Sequence, residues 1–421
     1  MKQFPAWWPS SGLWRHGDFL KLWSAQVTSA FGSRISRTAL NMVALLTIGA
    51  EPWEIGVLAA LGVAPGVLVG IFLGGFIDSH AKRPILVGCD LVRAVLLVTV
   101  PAAAWFDVLT MSHLFVVAAG MGAATTLFQI ADNTYLPVLI GRQHLTEGNA
   151  KLEATDAVAE IGGPGISGVL VELITAPFAL LADTVTYLVS AFFLFRIRAQ
   201  ENLDHVSRQS GAILADIIMG VRACLDGGIV KTLFFVAVLE AFFVAFTYGG
   251  MYSVFVLQTL GLGPATYGVL VAMGGVGALL GALIARRAAR VFGLGAAMFV
   301  LIVCGRVAAL TLPFAYDDGW LSLLLLAFHQ FVSDAFVVAY LIHAMSLRQT
   351  ILPQAVLGRA NAAFHVTAGL LMPFGAAIGG VLASEISVYA VIWTGVIGGF
   401  IAPVVLWRSP IWKLRAMPAP I

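Results

Sequence analysis

The chain has 421 residues, of which 60% are hydrophobic and 11% charged, and its formal net charge is +2. A water-soluble domain carries about 25% charged residues, so a soluble enzyme, a disulfide-framed secreted domain and a disordered chain are excluded. A membrane span takes about 20 apolar residues, and this apolar content suffices for roughly a dozen of them.

The N-terminus brings Trp7, Trp8 and Trp14 but no apolar run ending in a cleavage site, and reads as an interfacial lead-in. Apolar runs follow at 19–48, 53–77, 84–106, 112–136, 148–173 and 178–196, then at 231–259, 265–285, 292–315, 320–345, 360–383 and 388–407. The expected fold class is therefore an all-α membrane protein with twelve transmembrane helices in two six-helix bundles. The domains expected are 1–196, a linker at 197–230 and 231–421. Twelve spans place both termini on one side. The short loops around Glu51, Asp107, Thr175, Gly263, Asp317 and Glu385 hold no Lys or Arg, whereas Lys82, Arg83, Arg142, Arg196, Arg286, Arg348 and Arg408 gather on the other side. That asymmetry predicts cytosolic termini.

Span one carries Gln26, Ser29, Ser33, Arg37 and Asn41 at helical spacing, with Arg34 beside them. An ionisable side chain inside a span is expensive and is a functional candidate by default. Between spans two and three the chain reads Gly74-Gly75-Phe76-Ile77-Asp78-Ser79-His80-Ala81-Lys82-Arg83, and Asp90 and Arg93 lie one turn apart on span three. Span four presents Thr125, Gln129, Asp132 and Asn133 on one face, and span five presents Asn149, Glu153, Asp156 and Glu160. At 1.5 Å per residue Glu160 is about 18 Å in from the terminal side and Arg34 about 22 Å, which makes an Arg34–Glu160 or Arg37–Glu160 pair feasible. Span five then bends at Gly163-Pro164-Gly165-Ile166-Ser167-Gly168.

In the linker, Ile213, Leu214, Ile217, Ile218, Val221 and Leu225 recur at helical spacing opposite Asp216, Arg222 and Asp226, predicting a short helix on the membrane face. Span seven carries Glu240, Thr247 and Tyr248; span ten carries Gln330, Ser333, Asp334 and Tyr340, with His329 adjacent. Glu240 and Asp334 sit mid-span with no Lys or Arg near them in their own helices, which marks them for proton coupling. His329, His343 and His365 also titrate in principle but read as satisfied polar groups. Cys89, Cys224 and Cys304 are far apart and read as core side chains.

The chain also repeats itself. Gly56-Val57-Leu58 matches Gly268-Val269-Leu270, Asn149-Ala150 matches Asn361-Ala362, and Gly168-Val169-Leu170 matches Gly380-Val381-Leu382, each 212 residues on. The repeat is parallel, so its pseudo-two-fold axis runs along the membrane normal.

The loop from Gly74 to Arg83 resembles the signature loop of the major facilitator superfamily, with Ala81 and Ser79 departing from the full pattern, and the second-half counterpart reduced to Arg286-Arg287-x-x-Arg290. Gly163-Pro164-Gly165-Ile166-Ser167-Gly168 is similar to the antiporter motif of drug–proton exchangers. Tyr135-Leu136-Pro137, Asn149-Ala150 and Leu180-Leu181-Ala182-Asp183 through Ala191 resemble the enterobactin-exporter and macrolide-efflux branch. The resemblance implies that spans one, four, seven and ten face a central cavity. Gln26, Ser33, Arg34, Arg37, Asn41, Gln129, Asn133, Tyr248, Gln330 and Tyr340 are then its substrate-facing residues. Glu240, Asp334, Asp132, Asp156 and Glu160 are the proton-coupling candidates, and Gly74, Asp78, Lys82, Arg83, Asp90 and Arg93 a conformational latch. Members of that branch often carry Gly-Asp near the middle of span one; here it is Gly32-Ser33-Arg34, and the two arginines point to an anionic or zwitterionic substrate unless Asp156 and Glu160 neutralise both. The reading is a secondary active transporter, a proton-coupled exporter of a small amphipathic compound working by alternating access in a bacterial inner membrane. It is expected to act as a monomer, without cofactor, metal or nucleic acid. The alternatives are a lipid or lysolipid transporter of the same fold, a polytopic membrane enzyme, and a non-transporting receptor.

Overall fold

In the computed structural model, residues 12–78, 80–199, 201 and 213–418 are described, and every regular element among them is helical. Span one is Gly17–Met42, continued by a π turn at Val43–Ile48; spans two to six are Pro52–Asp78, Lys82–Trp105, Met111–Ile140, Leu145–Ile174 and Ala176–Phe195. Spans seven to twelve are Gly228–Thr259, Pro264–Phe292, Leu294–Phe314, Trp320–Ile351, Gln354–Glu385 and Val388–Trp407. Eleven of the twelve are long and apolar enough to cross a membrane on length and composition alone. The exception is span one, whose hydropathy is lowered by its polar stripe; it is held instead by packing against spans five and six. The start of span one and the end of span twelve lie on one face, the terminal face; the opposite one is the far face.

Several spans start where the sequence supplies a cap. Thr110 Oγ1 accepts from His113 N at 3.3 Å and Ser387 Oγ from Ala390 N at 3.1 Å. Glu201 caps span three, accepting from Lys82 N at 2.6 Å and Arg83 N at 2.9 Å. In the far-face loop before span ten, Asp317 accepts from Ser322 Oγ at 2.6 Å and Gly319 N at 3.1 Å, and these bonds hold its carboxyl below the usual range.

The π turns fall on three of the four spans singled out as cavity-lining. Span one ends in its π turn; span seven breaks at Gly249 and Gly250, where Gly250 takes φ 104°, and then ends in a π turn at Phe255–Thr259; span ten is interrupted by one at His329–Ser333. Such turns inside longer helices concentrate at functional sites, and hydropathy does not reveal them.

The amphipathic helix forms at Ile213–Leu225, docked on the start of span eleven rather than lying free on the membrane face. Gly220 seats against the Arg359 carbonyl, and Cys224 Sγ lies 3.9 Å from Ala360 O. All three cysteines are unbridged, with Cys89 and Cys224 buried and Cys304 half-buried.

The two halves meet along two seams, span two against span eleven and span five against span eight. Each seam is a glycine crossing. A Cβ built on Gly56 would lie 3.0 Å from the Gly380 Cα, and one on Gly168 would lie 3.1 Å from the Gly268 Cα. These four glycines are the ones matched by the internal repeat, so one contact is made twice about the pseudo-two-fold axis. Both crossings lie toward the far face, where hydrogen bonds join the halves as well: Trp53 N to Ser384 Oγ at 3.0 Å, Gln258 Nε2 to Ala50 O at 3.2 Å, and Ala265 N to Glu172 Oε2 at 3.2 Å. On this side the apolar core is continuous across the halves, running from Ala39–Leu45 and Ile55 to Phe255, Leu270 and Val391. Toward the terminal face the cores separate, one in the N-terminal half and two in the C-terminal half. The molecule is closed at the far face and parted at the terminal face.

Asp90 and Arg93 form a buried ion pair, as their spacing suggested. In this arrangement, with the terminal face parted, their partners lie within one half. Asp90 also accepts from Ser190 Oγ at 2.6 Å, and the Arg93 guanidinium lies 4.4 Å from the Phe128 ring centre and 4.3 Å from that of Tyr187. All these groups belong to spans three, four and six, so the pair ties one half together and does not bridge the two. Arg83 is likewise engaged within that half, donating to the carbonyls of Leu194 and Phe195 at the end of span six. Lys82 Nζ donates to His80 O at 2.6 Å. The surroundings of Gly74 and the side chain of Asp78 lie outside the described residues. Breaking a buried ion pair from one side costs about 3–5 kcal/mol. Arg93→Leu should therefore lower the Tm of the purified protein sharply, and Arg93→Lys should restore it only in part because the ring contacts need the planar guanidinium. An unchanged Tm in Arg93→Leu would contradict this.

Candidate functional site

The parted side encloses a cavity of about 850 Å³ lined by spans one, two, four, five and eleven. Its polar wall is made by Gln26, Gln129, Asp132, Asn133, Asn149, Glu153, Asp156 and His365, with Gly66, Gly70 and Pro137 keeping the wall open. Stripes inferred on spans one, four and five thus meet around one space. The contribution of span two was missed because it is made by glycine, valine and isoleucine, which leave no polar signature, and span eleven offers a single polar group, His365, between Ala362 and Val366. Gln26 Nε2 and Asp132 Oδ1 are buried at the wall without a partner of hydrogen-bonding geometry.

Deeper in, the arginines of span one part company. Arg34 pairs with Asp156, Nη2 to Oδ2 at 2.9 Å, and with Glu160. Gly163 of the kink motif makes room for it, since a Cβ there would run into the Arg34 side chain. Pro164 and Gly168 of the same motif face Gly268 across the seam, and Ser167 Oγ donates to Ile35 O at 3.0 Å. The motif therefore joins span five to span one and to the opposite half at once. Arg37 lies two turns beyond Ala30, which lines the cavity, so it continues that face. It is exposed and makes no ion pair or hydrogen bond among the described residues. Both carboxylates contact Arg34, and Arg37 lies within their field without a contact of its own.

Across from it, spans seven and ten build an aromatic and polar group. Tyr248 Oη lies 2.8 Å from both His329 Nε2 and Gln330 Oε1, and its ring stacks on His329 with centroids 6.0 Å apart. The π turn of span ten is what places His329 and Gln330 side by side toward span seven. Asp334, half-buried and without an ion pair, faces Gly274 of span eight, where a Cβ would strike its carboxylate. Glu160 is its charged neighbour from the other half.

Other expected positions fall differently. Glu240 is not a lone carboxylate: it forms an ion pair with Arg306 of span nine, an interaction between helices that inspection of its own helix could not reveal. Its reading as an unpaired carboxylate is corrected accordingly. Tyr340 is buried in the core of the C-terminal half rather than facing the cavity. Ser33 Oγ donates to Ser29 O at 2.5 Å and accepts from Tyr187 at 3.3 Å, so it faces span six as much as the cavity. Asn41 is half-buried, and its side chain makes no hydrogen bond among the described residues. His343 is satisfied, with Nε2 2.8 Å from Ala285 O. No group of three or more His, Cys, Asp or Glu among the described residues is arranged to hold a metal ion.

Two six-helix halves around a polar mid-membrane space, closed on one side only, define a membrane transporter of the major facilitator type. The chain belongs to the transmembrane secretion effector family of that superfamily, which it matches over residues 10–419. It is 20% identical over 188 residues to macrolide efflux protein A of Streptococcus pyogenes, covering 45% of this chain and 46% of that protein. It is 19% identical over 184 residues to the uncharacterised transporter YkuC of Bacillus subtilis strain 168, covering 43% of this chain and 42% of that one. The chain thus spans less than half the length of the curated relatives it matches. Among solved structures, a mutant of the nucleoside transporter NupG superposes with a TM-score of 0.76 at 13% identity, covering 94% of this chain and 100% of that one. A bacterial homologue of the iron transporter ferroportin, inward-facing, gives 0.70 at 17% identity with 92% and 98% covered, and its outward-facing form gives 0.57. The fold is shared with these proteins.

Proposed function

We propose that this transporter is a proton-coupled exporter of a small amphipathic anion or zwitterion, working by alternating access. It lies in a bacterial inner membrane with the terminal face in the cytosol, where the Lys/Arg asymmetry orients it. No step makes or breaks a covalent bond. The observation that carries the substrate class is Arg37: a guanidinium on the cavity face whose neighbour Arg34 has taken both nearby carboxylates. Such a group offers a planar fork to a carboxylate or phosphate. Efflux is supported by the likeness to a macrolide efflux protein, and intake from the cytosol by a cavity that opens at the terminal face. Asp334 and Asp132, neither in an ion pair, are the groups left to exchange protons.

The test is uptake into proteoliposomes under an imposed pH gradient, comparing carboxylate-bearing amphiphiles with cationic analogues. A hydrogen bond to a charged group is worth about 1.5–3 kcal/mol, so Arg37→Gln should slow transport of anions by roughly 10- to 150-fold and leave cationic analogues near the wild-type rate. Equal loss for both classes, or none, would overturn the assignment.

A further inference from the structure

A second cavity lies on the outside of the N-terminal half, between spans three and six, away from the substrate path. It is a groove of about 290 Å³ lined by Val87, Leu91, Leu188, Ala191, Phe192 and Phe195, and apart from one backbone-sized trace its lining is apolar. Leu91, Leu188, Phe192 and Phe195 are 45%, 48%, 55% and 65% exposed on a surface that faces hydrocarbon. Leu91 is nine residues into span three, so the groove reaches about 13 Å down from the terminal face. Such a channel suits an acyl chain.

What distinguishes this groove from bare lipid-facing surface is its upper rim. The Arg83 guanidinium lies 5.5 Å from the Phe195 ring centre, and that of Arg196 lies 5.5 Å from the Phe192 ring centre. The two rings that wall the groove therefore hold the two cations at its mouth. Arg83 donates through Nε and Nη2 to the carbonyls of Leu194 and Phe195; a guanidinium has five N–H donors, so most of its fork remains unspent. Arg196 is exposed and its side chain donates to no described residue. The nearest carboxylates are committed elsewhere: Glu201 to the backbone of Lys82 and Arg83, and Asp18 to Lys21 and Arg198 N. Two neighbouring guanidiniums with free donors bind phosphate oxygens in charge-assisted, bidentate fashion.

We infer that this groove is a binding site for one anionic phospholipid, its phosphate held by Arg83 and Arg196 and an acyl chain laid along Leu91, Leu188 and Phe192. The site is separate from the substrate cavity and does not depend on what the transporter carries. Arg83 spends part of its fork on the end of span six, so the lipid extends a joint between spans three and six that protein groups already make.

Native mass spectrometry of the full-length protein, released from nanodiscs of phosphatidylglycerol mixed with phosphatidylcholine or phosphatidylethanolamine, tests this directly. One phosphatidylglycerol should be retained in roughly thirtyfold preference, the order expected for two arginines at the membrane surface. Arg196→Gln should remove most of that preference, Arg196→Lys should keep part of it, and Leu91→Trp should block retention while leaving both arginines in place. Soluble glycerol phosphate in excess should not displace the lipid. Equal retention of the zwitterionic lipids, retention unchanged in both Arg196→Gln and Leu91→Trp, or displacement by glycerol phosphate would overturn the proposal.

Discussion

Leucine in place of Gly168 should abolish turnover and hold the far face open. The crossing of spans five and eight leaves no room for a side chain: a Cβ on Gly168 meets the Pro264 carbonyl and the backbone of Ala265 and Gly268. Backbone cannot swing aside as a flexible side chain can. Overfilling a well-packed contact costs about 1–3 kcal/mol, and here the cost falls only on the state in which the halves touch at the far face. That difference shifts the balance between closed and open far faces by roughly 5- to 150-fold. Gly56→Leu should act in the same way through the span two–span eleven seam, and Gly168→Ala more mildly. Spin labels at Glu51 and Glu385, exposed on opposite halves of the far face, should move apart in Gly168→Leu. An unchanged distance distribution together with retained transport would refute the role given to the crossing.

Asparagine at Asp334 should separate transport from the pH gradient. In proteoliposomes the variant should lose uphill accumulation and fall to the level reached without a gradient, while counterflow exchange persists. Asp334 lies at mid-membrane on span ten, unpaired, pressed toward Gly274, with Glu160 of the other half as its charged neighbour. Glu160 is held by Arg34. A proton gained or lost at Asp334 therefore changes the repulsion across the plane along which the halves separate. Retained uphill transport in Asp334→Asn would move coupling to Asp132. Glu240 no longer competes for this part, because neutralising it strands Arg306 in a buried position, and any loss of transport there would report damage to the C-terminal half.

What the sequence disclosed, and what it withheld, follows from the range of each interaction. Spans and their count were legible because hydrocarbon thickness imposes a length on every helix. The Asp90–Arg93 pair was legible because its members lie one turn apart, and Arg34 with Glu160 because helix rise fixes depth. The glycine repeat was visible as a repeat, but internal similarity states equivalence and not contact: Gly56 corresponds to Gly268, yet it touches Gly380. Glu240 looked free because its counter-charge is on another helix. Tyr340 looked cavity-facing because regular periodicity was carried through the π turn at His329–Ser333, which changes the register of span ten. The groove between spans three and six left no mark at all, since its lining is ordinary lipid-facing sequence and only the fold brings Arg83 and Arg196 to the same rim.

The far-face seal is dry. Its two crossings are glycine against backbone, and around them the apolar core runs unbroken from one half to the other. Opening it must wet surface that was out of water, while the cavity at the terminal face gives up its solvent, so the two shapes need not hold the same amount of water. Solutes excluded from protein surfaces favour the arrangement that exposes less of it. The resting preference between its two shapes thus responds to the water activity around the molecule as well as to substrate and protons.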